Sequence, residues 1–135
     1  MSGETNLSVL LNSLSCKLHD EVFVFATLAD REVPDGLGEI MRFQETEGTT
    51  LILTEAAAKS HALPYAFRCR MITLDVHSSL EAVGFIARIA TVLADAGMGV
   101  NPVAGFYHDH LFVPVGRERD ALRLLDDLRR DAGSE

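Results

Sequence analysis

Two imidazoles flank a carboxylate in the run GFYHDHLFVPV, where His108, Asp109 and His110 follow one another. Such a group could bind a metal ion or transfer protons. A zinc site needs three or four protein ligands, and His77 is the one further candidate nearby in the sequence. The same residues could instead form the turn of a hairpin, because His and Asp tolerate tight-turn geometry well. We favour a turn that borders a ligand site or a dimer interface.

A pair of serines, Ser78 and Ser79, raises the question of a nucleophile. No G-x-S-x-G motif surrounds them, so the sequence gives no support to nucleophilic catalysis. Ser78 and Glu81 instead have the S-x-x-E spacing of a helix capping box. We therefore interpret Ser78 as a helix cap and predict that the chain has no catalytic residue.

The composition restricts the partners and the compartment. The 135 residues carry a formal net charge of −8, which argues against duplex nucleic acid and against an anionic membrane surface. Two isolated cysteines, Cys16 and Cys69, fit structural thiols in a reducing compartment. The N-terminal stretch lacks the basic start of a signal peptide, and no segment approaches the ~18 apolar residues of a membrane span. We expect a soluble cytoplasmic protein that holds no metal ion and no cofactor.

Hydrophobic periodicity and turn residues divide the N-terminal half into six segments. Leucines recur on one face of the first of these, and Asn6 can cap it. The predicted elements are a helix over 6–15, a strand over 21–29, a loop over 30–38, two strands within 39–55 and a helix over 55–63.

The C-terminal half shows clearer patterns. Its long helix carries an apolar stripe, and Gly97 supplies the left-handed stop. Gly84 would lie inside that helix, where glycine costs about 1 kcal/mol relative to alanine. The predicted elements are a strand over 68–76, a helix over 78–97, strands over 98–107 and 110–115 that meet at a turn formed by His108, Asp109 and His110, and a helix over 117–131.

The two halves share one pattern: a strand, a connection, a hairpin and a helix. We infer two degenerate copies of one unit, with the break near residues 64–68. A βαββαβ unit closes as an antiparallel sheet with helices on one face. The predicted fold is therefore α+β, with two tandem ferredoxin-like halves at 1–66 and 67–135. The second copy has no residues left for its last strand, which the first half or another chain must supply.

The segment GFIARIATVLADAGMGV resembles the core of the ACT domain, in which one glycine opens a helix and a second ends it. The longer string over 68–115 is similar to small bacterial proteins with tandem ACT-like halves, a group related to the cytosolic arginine sensors of animals. VFVFATL and LILTEAAA extend the resemblance more weakly into the first half. One departure concerns the pocket: Val83 precedes Gly84 where the commoner ACT pattern has Asp and Pro, and the connection HSSLEA is longer.

The resemblance implies that a free amino acid binds where the first strand meets the first helix, often across an interface between modules. Physical chemistry supports the same place, because amides at a helix N-terminus suit an α-carboxylate and Gly84 leaves room for a ligand. Asn101 offers a donor and an acceptor, and Asp75 or Asp109 could hold the α-ammonium group. The predicted ligand-binding residues are His77, Ser78, Ser79, Leu80, Val83, Gly84, Phe85, Asn101, Pro102 and Asp109.

The leading hypothesis is a non-catalytic amino-acid-binding regulatory module that forms a homodimer. One alternative is a small metal-dependent or acid–base enzyme that uses His77 and the cluster of His108, Asp109 and His110. Another is a structural dimer whose site has lost its ligand, with Phe106 or Tyr107 filling the pocket. The sequence names neither the amino acid nor a downstream partner.

Overall fold

Six strands and four helices lie in the part of the chain that the structure describes. The computed structural model describes residues 6–29, 32–76 and 78–134. In chain order the elements are α1 (Leu7–Asn12), β1 (Cys16–Leu28), β2 (Met41–Gln44), β3 (Thr49–Thr54), α2 (Glu55–Ser60), β4 (Tyr65–Leu74), α3 (Phe85–Asp95), β5 (Asn101–Ala104), β6 (Asp109–Pro114) and α4 (Glu118–Gly133).

The strands form a sheet in the order β2-β3-β1-β4-β6-β5. The hairpins β2–β3 and β5–β6 are antiparallel, as is the pairing of β1 with β3. The predicted α+β fold with tandem ferredoxin-like halves is confirmed. The chain also divides into two compact units: a middle unit of residues 20–69, and a terminal unit whose described residues are 6–19, 70–76 and 78–134.

The terminal unit is a complete four-stranded module. Its strands run in the order β1-β4-β6-β5, which is the order of a βαββαβ fold if β1 acts as the last strand. The strand that the second half lacks is therefore supplied by the first half of the same chain. The start of β1 forms this missing strand, because Cys16 and Leu18 pack against the core of this unit. This explains why β1 begins at Cys16 and not at the predicted residue 21.

The core of the terminal unit lies between three helices and two of its strands. The leucines of α1 belong to it, as predicted, and the Asn6 side chain accepts a hydrogen bond of 3.1 Å from the Val9 amide. The amphipathic helix α4 buries the same face that its periodicity predicted. The fully buried side chains in this core include Leu10, Ile72, Leu74, Ile89, Leu93, Leu111, Val113, Ala121 and Leu125.

The middle unit has its own smaller core. Its strands run in the order β2-β3-β1-β4, and its single helix α2 buries Ala58. The connection from β1 to β2 contains no helix in its described part, and Leu37 from this connection is buried in the core instead. Apolar residues of β1 and β3 complete it: Val24, Ala26, Leu28, Leu51 and Leu53.

The predicted start of the long helix is wrong. Helix α3 begins at Phe85, and Gly84 is its N-cap with φ 90° and ψ −6°. A residue in this left-handed region cannot continue a right-handed helix, so the chain before it is irregular. Ser78 and Glu81 consequently form no capping box. The resemblance to the ACT core, in which a glycine opens this helix, placed the boundary correctly.

The predicted hairpin turn is also misplaced. The pairing Ala104↔Asp109 and a 2.9 Å bond from the Gly105 amide to the His108 carbonyl put Phe106 and Tyr107 at the tip. Gly105 permits this close turn, since a Cβ there would meet the His108 carbonyl oxygen at 2.8 Å. Asp109 and His110 are therefore strand residues, and strand geometry decides where they point.

Candidate ligand-binding site

The loop after β4 and the start of α3 form one wall of a cavity in the terminal unit. Gly84 offers no side-chain cap to the first turn of α3, so this turn presents backbone amides without a side-chain hydrogen bond from the N-cap. The loop holds its shape through local bonds: the Ser79 hydroxyl accepts from the Glu81 amide at 3.1 Å, and the Ser79 carbonyl from the Ala82 amide at 3.0 Å. The helix start is thus open to a small anionic group.

The cavity has a volume of about 200 Å³. It is smaller than the roughly 300–1,000 Å³ of pockets for drug-sized ligands, which makes it suitable for a small metabolite. Its lining residues come from the loop, the first turn of α3 and the β5–β6 hairpin: Ser78, Ser79, Leu80, Ala82, Gly84, Phe85, Ile86, Ala87, Ala104 and Asp109.

One carboxylate, that of Asp109, faces this cavity. Asp109 is the first residue of β6 and is only 8% exposed. The Ser78 hydroxyl donates a hydrogen bond of 2.9 Å to its Oδ2. Among the described residues, no other side chain bonds to this carboxylate and no Arg, Lys or His forms an ion pair with it. A buried carboxylate without a cation is costly, and a cationic ligand group would remove that cost.

Six of the predicted ligand-binding residues line the cavity together: Ser78, Ser79, Leu80, Gly84, Phe85 and Asp109. Val83 does not, because its side chain is 84% exposed. Asn101 and Pro102 lie on β5, are exposed and are not part of the lining. His77 lies outside the described residues.

Four lining residues escaped the sequence-based prediction: Ala82, Ile86, Ala87 and Ala104. All four have small or apolar side chains that carry no chemical signal of their own. Ala104 pairs with Asp109 across the hairpin, so a correct placement of the turn at Phe106 and Tyr107 would have identified it.

The cluster of His108, Asp109 and His110 does not act as one group. His108 Nε2 lies 3.3 Å from Oδ1 of Asp75, whose side chain is 65% exposed. Asp109 and His110 are consecutive strand residues, so their side chains point to opposite faces of the sheet. Within the part of the chain that the structure describes, no three His, Cys, Asp or Glu side chains converge as metal ligands. Of the two carboxylates predicted to hold an α-ammonium group, Asp109 lines the cavity and Asp75 does not.

His110 belongs to a polar row on three neighbouring strands. The Thr73 hydroxyl oxygen lies 2.8 Å from His19 Nε2 and 2.9 Å from His110 Nδ1. Burial lowers the pKa of His110, and the imidazoles of His108 and His19 lower it further, while Asp109 acts in the opposite direction. The folded protein therefore disfavours protonation of this imidazole.

This lowered pKa predicts a loss of stability in mild acid. The unfolded chain, in which the pKa of His110 is about 6.5, binds the proton more readily than the folded chain. The free energy of unfolding is therefore fully retained above about pH 6.5 and falls as the pH drops through the folded pKa. One proton changes it by at most ~1.4 kcal/mol per pH unit, and partial exposure keeps the effect below that limit.

Urea unfolding at several pH values between about 7.5 and 5.5 measures this slope. His110→Gln is expected to make the slope shallower, whereas Val103→Ala, which alters the cross-strand partner of His110, should keep it. An unchanged slope in His110→Gln would contradict the prediction.

The two aromatic residues at the hairpin tip do not fill the cavity. Phe106 and Tyr107 are 59% and 62% exposed, and their rings meet edge to face with centroids 5.0 Å apart. Neither ring is part of the cavity lining. The alternative in which one of them plugs a lost ligand site therefore finds no support in this geometry.

Both cysteines are free thiols of low reactivity. Burial raises the pKa of Cys16 to about 11, with a smaller contribution from Asp126. Burial alone raises the pKa of Cys69 to about 12, and its thiol donates to the Phe23 carbonyl at 3.3 Å. Thiolate is the reactive form, so neither residue is set up as a nucleophile.

None of the helices in the described part of the chain combines the length and the apolar character needed to cross a bilayer.

Comparison with solved structures finds a relative at clear sequence similarity. It is a Vibrio cholerae protein described as of unknown function and as a possible transport protein. It is 39% identical to this chain with a TM-score of 0.82, over 91% of this chain and 95% of that one. No curated protein matches.

Two more distant structures share the fold. An Agrobacterium tumefaciens protein is 16% identical with a TM-score of 0.74, over 86% of this chain and 89% of its own. The regulatory subunit of aspartate kinase from Thermus flavus is 9% identical with a TM-score of 0.55, over 85% of this chain and 95% of its own.

Sequence models of the ACT domain match twice along the chain. One match covers residues 2–70 and the other residues 66–127. The strand order of the terminal unit and the glycine that opens α3 agree with this assignment. The chain therefore belongs to the ACT domain family and carries two such domains in tandem.

Proposed function

We propose that this protein is a non-catalytic regulatory module that binds a free amino acid in the cavity at the start of α3. The observation that carries the proposal is the buried carboxylate of Asp109, which faces the cavity and has no cationic partner among the described residues. A zwitterion supplies both groups that the cavity lacks. Its ammonium would neutralise Asp109, and its carboxylate would accept hydrogen bonds from the first amides of α3.

Ser78 would position the carboxylate. Its hydroxyl donates to one oxygen of Asp109, which would orient the group and leave the other oxygen available to a ligand. The Gly84 N-cap contributes in another way. A Cβ there would find only Leu7 Cδ2 within 4 Å, so the missing side chain keeps the helix start uncovered.

We propose further that the protein is a homodimer with this loop at its interface. Leu80 and Val83 lie beside the cavity and are 66% and 84% exposed, which is unusual for large apolar side chains unless another surface covers them. Ligand that binds the dimer more tightly than the monomer would shift the population between them. Sedimentation velocity with and without ligand measures this shift.

The two free thiols support a location in the cytoplasm, which keeps cysteines reduced. The alternative of a small metal-dependent enzyme predicts stoichiometric metal in the purified protein, which elemental analysis measures. The side chains of His108, Asp109 and His110 contact three different partners, which does not favour that alternative.

Thermal unfolding in the presence of each of the twenty amino acids tests the proposal. A ligand at 100 times its dissociation constant should raise the free energy of unfolding by roughly 2.7 kcal/mol. At least one amino acid is expected to give such a shift at millimolar concentration. If none does, the proposed function is wrong.

A further inference from the structure

We infer that the ligand is an amino acid with a short, uncharged aliphatic side chain, such as valine. This inference rests on the proposed function, because it concerns the part of the ligand that is left once the ammonium and the carboxylate are in place. The residues in the remaining wall of the cavity, and not membership of the family, indicate this kind of side chain.

The described part of the remaining wall offers no partner for a second charge. Among the described lining residues, Asp109 is the one ionisable side chain. The two serines have roles already, since Ser78 donates to Asp109 and Ser79 holds the loop through Glu81. The rest of the wall is apolar or small: Leu80, Ala82, Phe85, Ile86, Ala87 and Ala104.

A charged side chain would consequently lie against apolar groups. An arginine or lysine ligand presents two cations to a single carboxylate, and a glutamate ligand adds an anion beside it. Each case leaves one charge desolvated without a partner, which weakens binding by at least about 100-fold relative to an uncharged ligand of similar size.

The volume favours a short side chain that stays within the cavity. A cavity of about 200 Å³ must hold the amino acid backbone as well as its side chain. Apolar side chains still gain from the wall, because each buried methylene strengthens binding. Valine, whose side chain has two more carbon atoms than that of alanine, should therefore bind about tenfold more tightly than alanine.

Isothermal titration calorimetry of the full chain with valine, alanine, arginine, lysine and glutamate tests the inference. Valine is expected to bind at least about 100-fold more tightly than the three charged amino acids. A variant then reverses this preference. Ala104→Asp places a second carboxylate opposite Asp109, and it should strengthen arginine binding and weaken valine binding.

A control variant tests whether the change in ligand preference depends on the position of the added carboxylate. Thr91→Asp adds the same charge to an exposed position on α3 outside the cavity and should leave the preference for valine unchanged. Should Ala104→Asp fail to fold, Ala82→Asp puts the carboxylate on the loop side of the cavity with the same expected gain for arginine.

The outcomes distinguish this inference from the proposed function. If arginine binds the wild-type protein as tightly as valine, and Asp109→Asn abolishes that binding, the amino-acid site stands and the inference on the side chain is overturned. If no amino acid binds, both fail. A preference for valine that Ala104→Asp transfers to arginine supports both.

Discussion

Replacement of Asp109 by asparagine is expected to weaken amino-acid binding by at least about 100-fold. The wild-type carboxylate is 8% exposed and would form a charge-assisted bond with the ligand's ammonium. Loss of one member of a desolvated charge pair costs ~2–5 kcal/mol of binding free energy. Asparagine has nearly the same shape as aspartate, so a lower affinity would result from the missing charge and not from altered packing.

The same substitution should leave the unliganded protein at least as stable as the wild type. Asp109 has no cationic partner among the described residues, so the neutral amide removes a desolvation cost without removing an ion pair. Calorimetric titration measures the affinity, and urea unfolding of the unliganded protein measures the stability. The two effects have opposite signs, which a general defect in folding would not produce.

Asp75→Asn is the matched control. It removes a carboxylate from the same unit, but one that is 65% exposed, pairs with His108 and is not part of the cavity lining. Its affinity for the ligand should stay within about twofold of wild type, because exposed ion pairs contribute little. If Asp75→Asn weakens binding as much as Asp109→Asn does, the ammonium site has been assigned to the wrong residue.

Regular periodicity was sufficient to predict most of the elements. The leucine spacing of α1, the apolar stripe of α4 and the alternation at the end of β4 all reflect a single buried face, which a sequence displays directly. Gly97, with φ 75°, ends the helix as expected, because only the left-handed region is needed there and glycine adopts it freely.

The two errors near the site have one cause: a local motif competed with a backbone requirement. Ser78 and Glu81 have capping-box spacing, but Gly84 at φ 90° interrupts the chain after them and Ser78 bonds to Asp109 instead. His108 to His110 have turn chemistry, but Gly105 allows the hairpin to turn earlier. The bond from Ser78 to Asp109 joins residues 31 positions apart, so a local motif cannot reveal it.

The misplaced turn also explains which of the predicted residues line the cavity. Asp109 was predicted from its charge alone, so its choice did not depend on the predicted strand register. Asn101 and Pro102 were chosen as the start of the second strand, whereas the residue opposite Asp109 is Ala104. A small apolar residue in the cavity wall has no recognisable pattern in a single sequence. Only the strand pairing identifies such a residue.

The compact units do not follow the order of the sequence. The division into halves at 1–66 and 67–135 stays a prediction, and the two ACT matches overlap at residues 66–70. The compact terminal unit, by contrast, combines residues 6–19 with the C-terminal part of the chain. The reason is α1, which packs against α3 and α4 and places Leu10 and Leu11 in their core.

Leu10→Ala is therefore expected to destabilise the terminal unit by ~2–5 kcal/mol, although residue 10 lies far in sequence from α3 and α4. The side chain is fully buried, and its removal leaves a cavity among Leu93, Leu125 and their neighbours. Amide hydrogen exchange locates the effect, because protection should fall in α3 and α4. Urea unfolding gives its size.

Val9→Ala is the control for this experiment, since Val9 lies on the same helix and is 48% exposed. It should change the free energy of unfolding by no more than about 0.5 kcal/mol, as surface substitutions usually do. If Leu10→Ala instead lowers protection in β2 and β3 and leaves α3 and α4 protected, the N-terminal helix belongs to the first half of the chain. The expected result would show that one ACT module is completed by a helix and a strand that precede it in the sequence.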